Sequence, residues 1–519
     1  MIGTVLRVKA VQEKWSGSAT LMTAGLSLLL SACAVGPDYQ RPELTKTQGY
    51  GARAQEATVA AAVPLGAAQR FVVDKDVPHD WWKLFQSAKL NALIERALKN
   101  NPNIEAAHAA LRQAQAYTDA QRGYFYPTVG ASYTPYRSKL AGNMSSNAPG
   151  LQGNGQVLQG NQNPAFANQA VFYNFHVAQL TVGYAPDVFG LNRRMVESAE
   201  SQVLLQQAQL EAAYLTLASN VVAAAVQEAS LRAQLAAMEI VLKTNQEMLD
   251  SMRKQLKLGY VSEMEVAGQE SALALSEQAI IPLRKQLDQT RNLLNTLVGQ
   301  APDQALSEQF ELSDFQLPQE LPLSLPSRLV EQRPDVRAAE AQLRYASAEA
   351  GVAVANRLPQ FTLMAGIGGM ATTPGWMFKH GGGFFNLAAS VATVIFDGGT
   401  LKARSQAAAE GAIQAGALYR STVMLALQNV ADTLYTIRSD ADALQAAARS
   451  KQAAEHVMQL THKQYQLGLV SYQAQLQADQ AYQLAVVNFI QAQTNRLGDT
   501  ATLYQSLGGG WWNRPEQGA

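Results

Sequence analysis

Two nonapeptides determine the organisation of this chain of 519 residues: KQLKLGYVS at residues 254–262 and KQYQLGLVS at residues 463–471. They share the pattern Leu-Gly-x-Val-Ser and lie 209 positions apart. A second pair, NPNIEAA at residues 101–107 and RPDVRAA at residues 333–339, lies 232 positions apart. Two landmarks repeated in the same order predict an internal duplication. The difference between the offsets places an insertion in the first copy, and the Gly-, Asn- and Gln-rich stretch 141–168 is interpreted as this exposed loop.

A long helix is predicted before each nonapeptide. Apolar residues recur at seven-residue intervals from Val203 to Met238 in the first copy and from Val423 to Met458 in the second. A seven-residue repeat produces a left-handed supercoil of helices. The first helix, from about Leu191 to Leu256, would be on the order of 100 Å long at 1.5 Å per residue. Its seam is interrupted at Glu228 and Asn245.

Shorter helices complete each copy. The segments Glu263–Val298 and Tyr472–Leu507 return from the two turns, and each is about half as long as the helix before it. Another short helix must therefore lie end to end with each returning helix. The segments near Asn103–Arg122 and Asp335–Asn356 are the available ones, and the expected arrangement is a tube of coiled helices.

Between the helices the apolar period changes to two, which predicts two strands per copy. Strands of about ten residues, apolar on one face and small or polar on the other, suit a membrane β-barrel with lipid outside and water inside. The alternation by itself also suits a soluble β-sandwich. The apolar positions are Val129, Ala131 and Tyr133; Leu180, Val182 and Tyr184; Phe361, Leu363, Ala365 and Ile367; and Phe385, Leu387, Ala389, Val391 and Ile395.

Four strands per chain are too few to close a membrane barrel, because the smallest barrels have about eight. The edges of the sheet must therefore be paired by other copies of the chain. Three copies would supply twelve strands. At the entries to the long helices, Asp187 and Asp397 are expected to be helix N-caps rather than catalytic groups.

The amino terminus predicts an exported lipoprotein. Three basic residues within the first 14 positions precede an uncharged, mostly apolar stretch at residues 19–30, which is too short to span a membrane. Small residues then lead to Cys33, the one cysteine of the chain, and Ala34 follows it. This pattern resembles a bacterial lipobox, in which residues 1–32 are removed as a signal peptide. Cys33 would then carry N-acyl and S-diacylglycerol groups, palmitate among them, as in lipoproteins forwarded to the outer membrane.

The chain resembles the TolC-like outer-membrane factors, and in particular the NodT-type lipoproteins of resistance-nodulation-division (RND) efflux systems. The resemblance rests on CAVGPDYQRP at residues 33–42, on WWKLF at residues 81–85 and on the two Leu-Gly-x-Val-Ser turns. It covers about residues 33–512. The duplication makes it much more specific than the lipobox alone would be.

This resemblance implies a mixed membrane α+β fold: a trimeric 12-stranded outer-membrane β-barrel, with four strands per chain, continuous with a long periplasmic α-helical coiled-coil barrel. The implied function is the outer-membrane exit channel of a tripartite efflux system for drugs or other toxic small molecules. The implied partners are two further copies of the chain, a periplasmic adaptor (membrane fusion protein), an inner-membrane RND-type pump and outer-membrane lipid. No cofactor is expected apart from the acyl groups on Cys33.

The same resemblance divides the chain into six parts. The expected parts are a signal peptide at 1–32, an N-terminal lipid-anchored segment at 33–86, efflux repeats at 87–300 and 327–508, an equatorial linker at 301–326 and a C-terminal tail at 509–519.

The resemblance also places the narrowest part of the channel near the two turns. Gly259 and Gly468 are expected at the hairpin tips, where they permit the reversal between antiparallel helices. Relatives often have Leu-Asp-Ala-Gln where this chain has Leu476-Gln477-Ala478-Asp479, so a neutral residue occupies the usual acidic position. The candidates for the periplasmic aperture are Glu265, Tyr465, Gln477 and Asp479.

Other classes of function find little support in the sequence. The 41 basic and 41 acidic residues balance, which gives no indication of a nucleic-acid partner. No enzyme is expected, because the chain has no phosphate-binding P-loop or G-x-S-x-G elbow, and no two of its six histidines have the i, i+4 spacing of a helical metal site. His462 is expected to be a seam or surface residue. Two alternatives stay open: a TolC-like channel for type I protein secretion, and a non-transporting coiled-coil lipoprotein.

Overall fold

The computed structural model describes residues 34–43, 49–50, 57–140, 150–151, 157–158, 171–304, 306–379 and 381–514. Cys33, the predicted signal peptide and most of the predicted insertion lie outside the described residues. Two compact units divide the chain, and each unit contains segments from both predicted repeats. The first unit comprises residues 1–40, 114–202 and 343–414, and the second comprises 41–113, 203–342 and 415–519.

The helices repeat in matched lengths, which confirms the duplication predicted from the nonapeptides. The two long helices have 67 residues each and the two returning helices have 35 each, while the short helices before the strands have 21 and 22. In chain order the α-helices are α1 Ala88–Asn100, α2 Pro102–Arg122, α3 Leu191–Lys257, α4 Glu263–Leu297, α5 Pro326–Gln332, α6 Pro334–Ala355, α7 Thr400–Gln466 and α8 Tyr472–Ser506. Among the described residues no helix has the length and hydropathy needed to cross a membrane.

The strands form one large sheet and two small pairs. In chain order they are β1 Arg70–Val73, β2 Thr128–Leu140, β3 Gly150–Leu151, β4 Val157–Leu158, β5 Val171–Tyr184, β6 Glu320–Leu323, β7 Gln360–Ala371 and β8 Gly383–Ala392. The large sheet has the order β2-β5-β7-β8, with every neighbouring pair antiparallel. The small pairs are β1 with β6, which run parallel, and β3 with β4.

The register of the large sheet separates its two faces, as the alternation predicts. One row across all four strands consists of Ala131, Leu180, Ile367 and Phe385, and the row next to it on the same face is also apolar. A row on the opposite face consists of Gly130, Thr181, Gly366 and Asn386. The apolar face is exposed within the chain, with Phe385 83% and Leu387 81% accessible. Ile395 was wrongly included in the last strand, because β8 ends three residues earlier, at Ala392.

In the first unit, the mature amino terminus is bound to the junction between β5 and α3. Arg194, which is only 4% exposed, donates to the backbone carbonyls of Val35 and Gly36 and forms a 2.7 Å ion pair with Asp38. Gly36 packs so closely on α6 that a Cβ atom there would lie 2.6 Å from the Cα of Gly351. These contacts fix residues 35–38 against the helices.

Both long helices begin at an aspartate cap, as predicted. Asp187 accepts from the backbone N–H groups of Asn192 and Arg193 at 2.9 and 3.0 Å. Asp397 accepts from those of Gly399 and Leu401 at 2.8 and 2.7 Å. These amides have no partner within their helices, so each carboxylate satisfies donors that would otherwise stay unpaired. The two aspartates therefore have a structural role at equivalent points of the two copies.

The main core of the second unit forms around the WWKLF motif. Trp81 is 1% exposed and stacks on Tyr504 of α8 with ring centroids 5.3 Å apart. Phe310 and Phe315, from the predicted linker, are buried in the same cluster. The linker thus supplies core residues in addition to connecting the copies, and β6 at its end pairs with β1.

Candidate aperture site at the two helix turns

The two Leu-Gly-x-Val-Ser sequences form the same backbone turn. Hairpin 1 consists of α3, its turn and α4, and hairpin 2 consists of α7, its turn and α8. In hairpin 1 the amides of Gly259 and Tyr260 donate to the carbonyls of Leu256 and Gln255, and the equivalent bonds recur at Gly468 and Leu469. This is the Schellman arrangement, which requires a left-handed residue at the glycine position. Gly259 has φ +76° and Gly468 has φ +72°, in agreement with that requirement.

The turns differ in how they start the returning helix. Ser262 and Glu265 form a capping box, in which the Ser262 hydroxyl accepts from the Glu265 amide and the Glu265 carboxylate accepts from the Ser262 amide at 2.7 Å. In hairpin 2, Ser471 caps the amide of Ala474, but alanine offers no carboxylate to complete the box. Glu265 therefore stabilises the helix start in addition to any role in the aperture.

Large apolar side chains protrude from both turns. Leu258 and Tyr260 of hairpin 1 are 70% and 77% exposed, and Leu467 and Leu469 of hairpin 2 are 73% and 70% exposed. Exposed apolar groups clustered at one place commonly mark a surface that binds another protein. Both turns thus present a contact surface of the same chemistry.

The two hairpins are joined close to these turns through Tyr472, the first residue of α8. Its side chain is 6% exposed and packs against Leu249 and Met252 of α3 and Val266 of α4. Its hydroxyl donates to the Oε1 of Gln269 on α4. Burial raises the pKa of Tyr472 to about 12, so the hydroxyl is a neutral donor at physiological pH.

Gln269 in turn connects this contact to the long helix of hairpin 1. The Gln269 Nε2 donates to the backbone carbonyl of Asn245 at 2.8 Å, and the Asn245 amide donates to the Ser276 hydroxyl at 2.6 Å. Gln269 is 2% exposed, so these polar groups have little access to water. Asn245, which breaks the heptad seam in the sequence, therefore supplies the polar partner that the tyrosine contact requires.

A second polar pair joins the two helices of hairpin 2. The His462 Nε2 lies 2.8 Å from the Asp479 Oδ1. Burial raises the pKa of the Asp479 carboxyl, and His462 partly opposes this effect. The expectation of a seam or surface position for His462 is incomplete, because its ring is part-buried and holds an aspartate from the facing helix.

The structure brings most of the sequence-predicted residues together. Tyr465 packs edge-on against Tyr472 with ring centroids 6.0 Å apart. Burial raises the pKa of Tyr465, and the nearby Glu265 charge raises it further, which places Glu265 and Tyr465 on the same side of the hairpins. Asp479 lies on α8 two turns beyond Tyr472, and its charge acts on the Tyr472 hydroxyl. Gln477, by contrast, is exposed and has no bond to this cluster.

Three members of the cluster were not predicted as site residues: Gln269, Asn245 and Tyr472 as the connecting group. Asn245 carried a signal, since it is a polar residue at a heptad position. Gln269 carried none, because a glutamine on an amphipathic helix is ordinary. Among the described residues no group of three metal-binding side chains occurs, at the turns or elsewhere.

The family model described as outer membrane efflux protein matches residues 93–300 and 325–509, which together make up most of the chain. The chain belongs to the outer membrane efflux protein family. This family consists of outer-membrane channel proteins rather than enzymes, and the chain is accordingly an outer-membrane efflux channel. The two matched segments correspond to the two copies of the duplicated helix and strand pattern.

Individual members of the outer membrane efflux protein family align with nearly the whole chain. The probable efflux pump outer membrane protein TtgC of Pseudomonas putida is 27% identical over 501 residues, which is 96% of each chain. The cation efflux system protein CusC of Escherichia coli is 26% identical over 489 residues, covering 94% of this chain and 97% of CusC. A solved structure of the outer-membrane channel OprN superimposes with a TM-score of 0.79 at 24% identity, covering 92% of this chain and all of that one. The chain therefore has the fold of this channel.

Proposed function

We propose that three copies of this chain form the outer-membrane exit channel of a tripartite efflux system, which passes small molecules supplied by an inner-membrane pump through a periplasmic adaptor. The observation that carries the trimer is the large sheet. Its edge strands β2 and β8 have no partner strand among the described residues, and its apolar face is exposed. Closure with neighbouring copies satisfies the edges, and twelve strands with an apolar outer face suit a lipid-facing barrel.

The mass of the particle tests this assembly. Purified in mild detergent, the protein should sediment as three chains, since four strands cannot close a barrel alone. Single cysteines placed on the two edges, Ser132→Cys on β2 and Ser390→Cys on β8, should allow oxidative coupling between chains when combined, whereas Ser132→Cys alone should not produce a covalent trimer. A stable monomer would contradict the proposal.

The small-molecule cargo is supported by the relatives, although their names differ in cargo. TtgC is named for an efflux pump and CusC for cation efflux. A shared channel fold with different cargo fits a duct whose selectivity is set by the inner-membrane pump. Expression with a cognate RND pump and adaptor in a strain lacking its own outer-membrane channel should lower drug accumulation. Export of a protein substrate without any effect on drugs would favour type I secretion instead.

The aperture is proposed at the two turns. Glu265, Tyr465 and Asp479 lie in or beside the contact between the hairpins, and Gln477 is exposed on α8. Three-fold symmetry would multiply each side chain by three, so a small ring of groups can control the passage. The exposed leucines of both turns are proposed to contact the adaptor, because their apolar surface needs a partner.

The membrane anchor is proposed at Cys33. The first described residue after it, Ala34, packs against Gly190, where a Cβ atom would lie 2.6 Å from the Ala34 Cα. This contact fixes the start of the mature chain at the end of β5, beside the sheet that is proposed to enter the membrane. Acyl chains on Cys33 would then lie at the membrane surface, and two or more such chains form a stable anchor.

A further inference from the structure

A pair of buried carboxyl groups joins α7 to α8. Asp440 of α7 is 9% exposed, and its carboxyl group is within hydrogen-bonding distance of that of Asp499 on α8. An ionised carboxylate only accepts hydrogen bonds. Two carboxyl groups can therefore hydrogen-bond to each other only when one of them carries a proton, and side by side they resist double ionisation. The Asp440 Oδ2 has no other partner among the described residues.

A buried arginine lies beside this pair without forming an ion pair with it. Arg496 is 1% exposed and precedes Asp499 by three positions, on the same face of α8. No ion pair of Arg496 with a carboxylate occurs within 4.0 Å in the described part of the chain. Its Nη2 donates instead to the Ala67 carbonyl at 2.6 Å and to the Thr58 hydroxyl at 3.3 Å. The Nε and Nη1 are buried and have no partner there.

The groups that Arg496 holds belong to an extended segment, residues 57–69, which we call the strap. The strap crosses both helices: the Gln493 side chain donates to the Pro64 carbonyl at 3.0 Å, and the Gln445 side chain donates to the Ala60 carbonyl at 3.3 Å. Gln69 of the strap donates to the Thr500 hydroxyl at 3.0 Å. No ionisable side chain occurs between positions 57 and 69. The strap therefore offers Arg496 neutral acceptors only.

The charged groups that act on Asp440 are accordingly Asp499 and Arg496, both on α8, and the strap adds none. Burial raises the pKa of Asp440 to about 7, with a further increase from Asp499 and a smaller decrease from Arg496. Burial also lowers the pKa of Arg496, and Asp440 opposes that decrease. The pair thus changes charge close to neutral pH, whereas an isolated aspartate does so near 4.

We propose that Asp440 and Asp499 share one proton that keeps Arg496 bound to the strap, and that loss of this proton draws the guanidinium to the carboxylates and releases residues 57–69. While one proton is present, the pair carries a single negative charge and Arg496 donates to Ala67 and Thr58. When the proton passes to water, a second negative charge remains in the seam. The unused Nε and Nη1 donors of Arg496 and the free Asp440 Oδ2 can then form an ion pair, so the strap loses its charged donor.

The proton itself is tested by infrared difference spectroscopy on the purified full-length protein. A band from a protonated carboxyl group should disappear between about pH 5.5 and about pH 8.5, with a midpoint near 7. Asp440→Asn should lack the band. Asp442→Asn is the matched control, because Asp442 is an exposed acid on the same helix, and it should retain the band. A wild-type spectrum without any carboxyl band in this range would overturn the proposal.

The strap is tested by hydrogen exchange of peptides covering residues 57–69. In the wild type their exchange should quicken as pH rises above neutrality, by up to about tenfold per pH unit beyond the intrinsic change, since opening releases one proton. Asp440→Asn keeps one negative charge at every pH, so its strap should stay protected throughout. Asp499→Asn should behave in the same way, which guards against a folding defect in one variant. A strap whose protection in the wild type is as independent of pH as in both variants would overturn the coupling.

Discussion

The contact between Tyr472 and Gln269 is expected to hold the aperture closed. Tyr472→Phe removes the hydroxyl and keeps the ring among Leu249, Met252 and Val266. A buried hydrogen bond contributes about 1 kcal/mol net, and more when its removal leaves a buried partner unsatisfied. Gln269 is 2% exposed, so its Oε1 would lose its donor without gaining free access to water.

The symmetry of the proposed trimer multiplies this effect. If opening separates the hairpins in all three chains together, the closed state loses about 3 kcal/mol in total, which is on the order of a hundredfold in the opening equilibrium. Single-channel recording in a planar bilayer measures this quantity as the fraction of time spent open. The Tyr472→Phe channel should therefore be open far more often than the wild type at the same voltage.

Two comparisons make the result specific. Tyr260→Phe is the matched control, because Tyr260 lies in the turn of hairpin 1 and is 77% exposed, and it should leave the open fraction unchanged. Gln269→Leu should open the channel, and combining it with Tyr472→Phe should add little, since both changes remove one interaction. If Tyr472→Phe has the wild-type open fraction while folding normally, the hairpin contact has no part in gating.

Three other predictions concern the turns, the helix caps and the anchor. Gly468→Ala places a side chain at φ +72° and should destabilise the turn by about 1–2 kcal/mol, seen as faster hydrogen exchange there, whereas Gly498→Ala within α8 has open space and should instead stabilise the helix by up to about 1 kcal/mol. Asp397→Ala should speed exchange at the start of α7; because backbone donors lower the pKa of Asp397, its capping is present above the unfolded pKa and should be lost in the wild type as pH falls below about 4. Cys33→Ser should abolish acylation and weaken membrane retention in a fractionation assay, and an acylated, fully retained variant would refute the lipobox prediction.

The helices and strands could be predicted well from the sequence, because each is governed by one strong periodicity. The heptad seam places the end of α3 within one residue, and the polar cap and glycine turn mark where α4 and α8 begin. The alternation in β7 and β8 gives the faces of the sheet directly. At Ile395 the same alternation misled, since one apolar residue beyond a strand continues the pattern by chance.

The contacts between hairpins could not be predicted from periodicity. A heptad identifies which face of a helix is buried, but it does not identify the residue on the other hairpin that the face meets. Tyr472 and Gln269 are 203 positions apart, and only the folded arrangement brings them together. Asp479 and His462 were both noted in the sequence, but their bond depends on the axial offset of α7 against α8. The strap carries no periodic pattern, so its place over Arg496 was not predicted.

The central claim is that the chain forms a gated trimeric exit channel, and single-channel conductance of the purified protein, with its mass measured in the same detergent, tests it most directly. The account predicts a particle of three chains that forms a small, cation-biased pore, closed for most of the recording. A stable monomer that forms no pore in the bilayer would contradict it.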